Sequence, residues 1–279
     1  MSTATLNPAP HPAPATAGGG EDDTRIGLRA NLRHLGALTR RNLMRIKADP
    51  ESMLDALLIP VIMIVLFVYV FGGAMAGDQH TYMQYMVPGL LGTTGLNLAM
   101  ALGTGLNTDF QTGVMDRFRT LPIGRSAVLL SKMIAETLRA VVAFAVLIGF
   151  SMVLGMDIDG GPLKLLAAVG LSLVFGSSLM WVSMLLGMSL RSAQAVQGMS
   201  MLVMMPLQFG SSIFASPTSM PGWLEAFTRH NPLSALADAC RALINDQPVG
   251  NSVLTVLIWS VGITVVTAPL AVARFRKRT

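Results

Sequence analysis

The stretch Ile59–Phe71, IPVIMIVLFVYVF, decides the fold. It lies inside a longer run, Ala56–Gly77, that contains no Asp, Glu, Lys or Arg. A helix needs about 20 mostly apolar residues to cross the hydrocarbon of a bilayer. A transmembrane β-barrel would instead show short segments of alternating polarity, which a continuous apolar run excludes. Outward from this stretch the pattern repeats. Gln79–Thr108, Ala140–Met156, Leu165–Leu190, Ser192–Leu224 and Gln247–Ala273 also lack the four charged residue types. The whole chain is 52% hydrophobic and 13% charged, against roughly 25% charged in soluble domains. Burying six such runs in a soluble protein would leave almost no polar surface. The sequence therefore predicts an all-α integral membrane protein with about six transmembrane helices, near 55–75, 86–106, 137–156, 165–188, 197–216 and 252–272.

The positive charges orient these spans. Segments on one side carry sixteen Lys and Arg residues, among them Arg40, Arg117, Arg191 and Arg276. Segments on the other side carry three: Lys164, Arg229 and Arg241. Cytoplasmic loops hold the excess of basic residues, so both termini are expected inside. The formal net charge of +5 is assigned to this anchoring and not to nucleic acid. Residues 1–24 are rich in Pro, Ala and Gly, cannot bury a core, and read as a disordered cytoplasmic tail. They show neither the cationic start nor the apolar centre of a signal peptide.

Three polar segments stand out. Residues 28–48 place Leu28, Leu32, Leu35, Leu43 and Ile46 near one helical face, with Arg33, Arg40, Arg41 and Arg45 among the cations elsewhere. This predicts an amphipathic helix on the inner membrane surface; anionic lipid or a protein partner would each suit it. Asn107–Lys132 is too polar to span and too long for a turn. Within it, Asp109–Thr120 has Phe110, Val114 and Phe118 at helical spacing, with Met115, Asp116, Arg117 and Arg119 alongside; Pro122 and Gly124 end the pattern. Its aromatics would enter a partner's groove or fold back onto lipid. Between spans 5 and 6, 217–251 predicts two short helices, re-entrant in or lying on the outer leaflet. Trp223 and Phe227 fall in the first of these, and Asn231-Pro232-Leu233 starts the second.

Among the spans, Gly95, Ala99 and Gly103 form a small-xxx-small ridge suited to close helix approach. With Asn97, Pro206 and Gln208 they are candidates for a transport path or a dimer interface, and packing alone would equally account for them. No span shows a charge near its centre. Glu136 and Arg139 are expected at the inner end of span 3 as an i, i+3 pair. The chain has no phosphate-binding G-x-x-x-x-G-K-[ST] loop, no H-E-x-x-H, no G-x-S-x-G and one cysteine, Cys240. No catalytic, cofactor-binding or metal-ligating residue is assigned.

The order of these features resembles the ABC-2-type membrane permeases, near the daunorubicin-resistance and nodulation-export branch. The resemblance is carried over residues 30–279 by RNLMRIKADPESML (41–54), TGVMDRFRTLPIGRSAVLLSKM (112–133) and FASPTSMPGWLEAFTRHNPLSALADACRALI (214–244). The last holds Pro221, Trp223, Leu224, Asn231, Pro232, Leu233, Asp238 and Arg241 in the family's pattern. The resemblance implies a transmembrane domain over 25–279 that is not itself an enzyme. It implies a second permease copy and a separate ATPase subunit that carries ATP and Mg. The ATPase would couple through Phe110, Met115, Asp116, Arg117, Phe118, Arg119 and Pro122. The implied place is a bacterial inner membrane, and the implied activity is ATP-driven export of an amphiphile. A drug or secondary metabolite is favoured as cargo. A glycan or lipid-linked polysaccharide exporter and a non-transporting scaffold are the alternatives.

Overall fold

The structure is a computed structural model that describes residues 36, 38–44, 50–114 and 125–278. The tail 1–24 and site candidates Arg33, Arg45, Met115, Asp116, Arg117, Phe118, Arg119 and Pro122 lie outside them. The described chain is helical throughout, with no strand. Residues 38–44 are helical and precede α1 (Pro50–Leu66), a π-helical stretch (Phe67–Phe71) and α2 (Gly72–Ala76). There follow α3 (Gln79–Gln111), α4 (Arg125–Val153), α5 (Gly161–Ser189), α6 (Ala193–Phe209), α7 (Gly222–His230), α8 (Pro232–Ile244) and α9 (Ser252–Arg278).

Helix starts follow local chemistry. Asp78 caps α3, accepting the Thr81 amide at 2.8 Å and its hydroxyl at 2.6 Å. These two bonds hold the Asp78 carboxyl below its ordinary pKa. Ser192 caps α6 through the Ala195 amide at 3.1 Å, and Asn231 caps α8 with Pro232 at the first helical position.

α3 is the axis of the bundle. It is mostly buried, and it packs most extensively on α5. The small residues explain how closely these two helices approach. Gly95 of α3 faces Gly176 of α5, where an added Cβ would lie 3.7 Å from the opposite Cα. One end further on, a Cβ at Gly103 would meet the Ser183 carbonyl oxygen at 2.6 Å, and one at Gly187 would meet the Gly103 oxygen at 2.3 Å. The sequence ridge Gly95–Ala99–Gly103 is therefore taken up inside the chain. α9 lies against α5, while α1 and α9 turn large apolar side chains outward, including Ile62 and Val265. That exposure is what lipid accepts and water does not.

Five helical segments are long and apolar enough to cross a membrane: Leu57–Ala76, Gln79–Gln111, Ala127–Val153, Gly161–Ser189 and Ser252–Arg276. Where a span over 197–216 was expected, the helix is α6, with 17 residues. It stops because the chain turns at Gly210 and residues 211–214 fold inward as buried turns. α6 still runs from one end of α3 to the other. It begins next to Arg191, which Gln111 contacts, and finishes at Gly210, beside the turn that Tyr82 and Tyr85 hold. Its length is roughly 25 Å, a little short of a hydrocarbon layer about 30 Å thick.

α4 begins earlier than span 3 was drawn, so Glu136 and Arg139 lie about three and four turns from its start. Arg139 lines a cleft with residues from the middle of α3.

Candidate functional site

The chain has two polar clusters, one at each end of α3. The first surrounds the roots of the 112–124 segment. Asn107 and Gln111 are one helical turn apart on α3. Asn107 is fully buried, and its amide donates to the carbonyls of Gly187 (2.7 Å) and Leu190 (2.8 Å). These are carbonyls at the end of α5, which has no helical donors left to satisfy them. Gln111 donates to Asn107 Oδ1 and to the Arg191 carbonyl, both at 2.9 Å. Asp109, also buried, pairs with Lys132 of α4. So the segment leaves α3 and re-enters α4 between side chains that already bind each other.

Phe110 was expected on a separate amphipathic helix. It lies instead in the last turn of α3, half-buried, with its ring edge-on to Phe275 of α9 at 5.9 Å. The helix extends this far because Asn107 and Asp109 find buried partners in place of water. The stretch 38–44 docks at the same end. Leu38 and Thr39 are buried, and Asn42 donates to Ser131 of α4 at 3.3 Å. Arg40 and Arg41 are exposed.

The second cluster gathers the residues of the outer segment. Arg241 on α8 donates through Nε to the Tyr85 carbonyl (2.9 Å), through Nη2 to the Ser212 carbonyl (2.9 Å) and through Nη1 to Asp238 (2.7 Å). Its guanidinium lies 3.7 Å over the Tyr85 ring, a cation–π placement. Tyr82 and Tyr85 donate to the carbonyls of Phe214 (3.0 Å) and Ser212 (2.8 Å). Asn231 donates to the carbonyls of Leu207 (2.7 Å) and Gly210 (2.9 Å) where α6 ends, while its Oδ1 accepts the Leu233 amide. Pro88 has no amide hydrogen, so the Gln84 carbonyl one turn earlier loses its helical donor; Asn245 replaces it at 3.1 Å. All of these bonds except Arg241–Asp238 satisfy backbone groups, which lipid could not.

Trp223 takes no part in this clamp and is 75% exposed. Cys240 is fully buried beside Ser172 Oγ at 3.4 Å, and burial pushes its thiol up to about 11. Of the path candidates, Pro206 is exposed and Gln208 half-buried on α6, and Asn97 is exposed on α3. Asn107, Asp109, Gln111 and Lys132 were not selected from sequence. Their signal was polar residues at one-turn spacing continuing an apolar helix. No group of His, Cys, Asp and Glu able to hold a metal occurs among the described residues.

Both clusters fall within residues 33–245, and that range matches the ABC-2 type transporter family. The chain belongs to the ABC-2 type transporter family. Among similar proteins, this ABC-2 type chain is 38% identical over 249 residues to a daunorubicin resistance ABC transporter permease protein of Streptomyces coeruleorubidus. That alignment covers 89% of this chain and 87% of the relative. A probable doxorubicin resistance ABC transporter permease protein of Mycobacterium tuberculosis is 27% identical, covering 86% of this chain and 88% of the relative. A putative transport permease of Cyanophora paradoxa is 23% identical over 217 residues. The chain is a multi-pass membrane permease of an ABC transporter. Within the ABC-2 type match the clamp residues Asn231, Pro232, Asp238 and Arg241 and the root residues Asn107 and Asp109 are all included; α9 lies beyond it.

Proposed function

We propose that this permease is the membrane half of an ATP-driven exporter that moves a lipophilic or amphiphilic drug or secondary metabolite out of the cytoplasm or inner leaflet. ATP and Mg act on a separate ATPase subunit. Two permease copies pair in the bacterial cell membrane, in contact with its lipid, with both termini in the cytoplasm. The transmembrane domain runs over 25–279. The ATPase docks on the 112–124 segment, through Phe118 and its charged neighbours, and on the 28–48 segment. The observation that carries this reading is the joined pair of roots: Asn107–Gly187/Leu190 and Asp109–Lys132 connect the segment to α3, α4 and α5 together. A push on the segment then reaches three spans. The charge bias supports the orientation, and the names of the two most alike relatives discussed above support the substrate class.

The test is co-expression with the cognate ATPase. The permease alone hydrolyses no ATP above background, and the pair co-purifies and lowers daunorubicin accumulation in cells. Phe118→Ala weakens co-purification and abolishes efflux, because a buried apolar anchor contributes about 2 kcal/mol or more at a protein contact. Wild-type co-purification and efflux in correctly inserted Phe118→Ala would refute the docking assignment.

A further inference from the structure

The cleft between α1, α3 and α4 is used by neither polar cluster. Ile59 and Pro60 of α1, Thr94, Asn97, Leu98 and Ala101 of α3, and Arg139 of α4 line a cavity of about 130 Å³. The lining is apolar except at a few points. Asn97 is two residues from the midpoint of α3, hence about 3 Å from the middle of its length. Between Tyr82 and Ala99 the helix is otherwise buried or half-buried, and Asn97 alone is exposed. Its carboxamide forms no hydrogen bond with any described residue. Arg139, 9% exposed at its side chain, has Glu136 Oε2 3.6 Å from Nη1. Arg139 lies within the apolar segment Ala127–Val153, where a charged side chain is costly unless it is paired or serves a ligand or a path.

We infer that this cleft binds the neutral, hydrogen-bond-accepting part of a lipophilic amphiphile, with Asn97 and Arg139 as the donors. The inference rests on the exporter reading and names a binding site for its cargo. The ligand group is a carbonyl, hydroxyl or ether oxygen on something ring-sized, because a cavity of this volume takes about one six-membered ring. It is neutral because Arg139 already has a counter-charge in Glu136. A carboxylate would compete with Glu136, and an ammonium would meet the guanidinium. Exposed Ile59 and Asn97 place the mouth on the side of the bundle next to α1, so the ligand enters from the bilayer. An exported amphiphile and the ester carbonyls of membrane lipid share this chemistry.

The experiment uses the full permease with its ATPase in nanodiscs. Daunorubicin binding is followed by its fluorescence in wild type, Asn97→Leu, Ala101→Phe and the paired change Glu136→Gln with Arg139→Gln. The first two variants break no described hydrogen bond, and the paired change leaves no lone buried charge. Gly105→Ala, open to space on the same helix, is the control. The inference expects binding about tenfold weaker in each variant and unchanged in the control. Wild-type affinity in all three variants overturns it, as does Asn97→Leu acting only by separating two permease copies. If wild type binds no daunorubicin, the substrate reading fails while the cleft is still decided by a second probe. A phosphatidylcholine with an acyl-chain diazirine should then crosslink Ile59 or Ala101 peptides in wild type and not in Ala101→Phe. No crosslink at the cleft overturns the inference.

Discussion

Gly187→Ala is the most informative single perturbation. Its methyl group would sit 2.3 Å from the Gly103 carbonyl oxygen and 3.1 Å from the Gly103 carbonyl carbon. Both atoms are backbone, so no side chain can rotate away. Ordinary contact begins near 3.4 Å, and the helices must part locally by about 1 Å. A gap of that size forfeits a quarter to a half of each nearby dispersion contact. Overpacking costs about 1–3 kcal/mol, and a backbone obstacle puts this case at the upper end. Alanine's better helix propensity offsets roughly 0.5–1 kcal/mol. The net loss is about 2 kcal/mol. Gly170→Ala on the same helix gains the same propensity and meets no atom within 4 Å. Thermal melting of purified protein in detergent should therefore show Gly187→Ala falling by roughly 5 °C and Gly170→Ala holding or rising. Gly103→Ala strikes the Ser183 oxygen in the same contact, so its loss should be less than additive with Gly187→Ala. A Gly187→Ala melt at or above wild type would refute the claim that the α3–α5 contact is backbone-limited.

Arg241→Lys should lose most of what Arg241→Ala loses, about 2 kcal/mol or more, because an ammonium cannot serve Tyr85, Ser212 and Asp238 at once; a Lys variant with wild-type melting and efflux would contradict this. Native Cys240 should resist maleimide from either side of the membrane in the folded protein, since it is fully buried with its thiol raised to about 11, whereas Gln79→Cys should label from outside; rapid labelling of Cys240 would remove α8 from the interior. The raised thiol stabilises the fold below pH 9 and that contribution is lost as pH climbs toward 11, by at most about 2.7 kcal/mol, so the melting temperature should fall more over this window in wild type than in Cys240→Ala. Asp109→Asn should destabilise the protein by leaving Lys132 without its carboxylate, and Asp109→Asn with Lys132→Met should recover much of the loss; equal melts for single and double variants would show that the pair is not coupled.

Some of this was legible before any coordinates. Long uncharged runs fix helices in lipid because no other open structure satisfies the backbone there. The Gly95–Ala99–Gly103 spacing announces a close crossing, but spacing cannot say whose helix crosses. The partner proved to be α5 of the same chain. The Asn231, Asp238 and Arg241 pattern was visible as a family feature, and its physical basis was not. Only the fold brings Arg241 to Tyr85, 156 positions away, and Asn245 to the carbonyl that Pro88 leaves free. The root cluster was hidden for a different reason. Asn107 and Asp109 read as loop because polar residues near a span's end normally meet water, and here they meet Gly187, Leu190 and Lys132.

These constraints distribute rigidity unevenly, and that bears on how an exporter of this kind would move. α3 and α5 are joined along their length by contacts that admit no side chain at Gly103 or Gly187, and α3 is pinned at both ends by multiply bonded polar groups. Such a pair moves as one body, because packed interiors transmit displacement and do not absorb it. The first span, Leu57–Ala76, which begins in α1, is the opposite case. It holds no charged residue, is mostly turned to lipid, and includes a π-helical stretch whose hydrogen bonds are displaced by one residue. Its aromatic link to the rest of the bundle, Phe67 to Phe214 at 4.8 Å, is a stacked contact that slides at little cost. A displacement arriving at Asn107 and Asp109 is thus resisted between α3 and α5 and yields between α3 and α1. The cleft that holds Asn97 and Arg139 lies along that yielding seam, which is where a binding site must lie if closing the transporter is to expel what it binds.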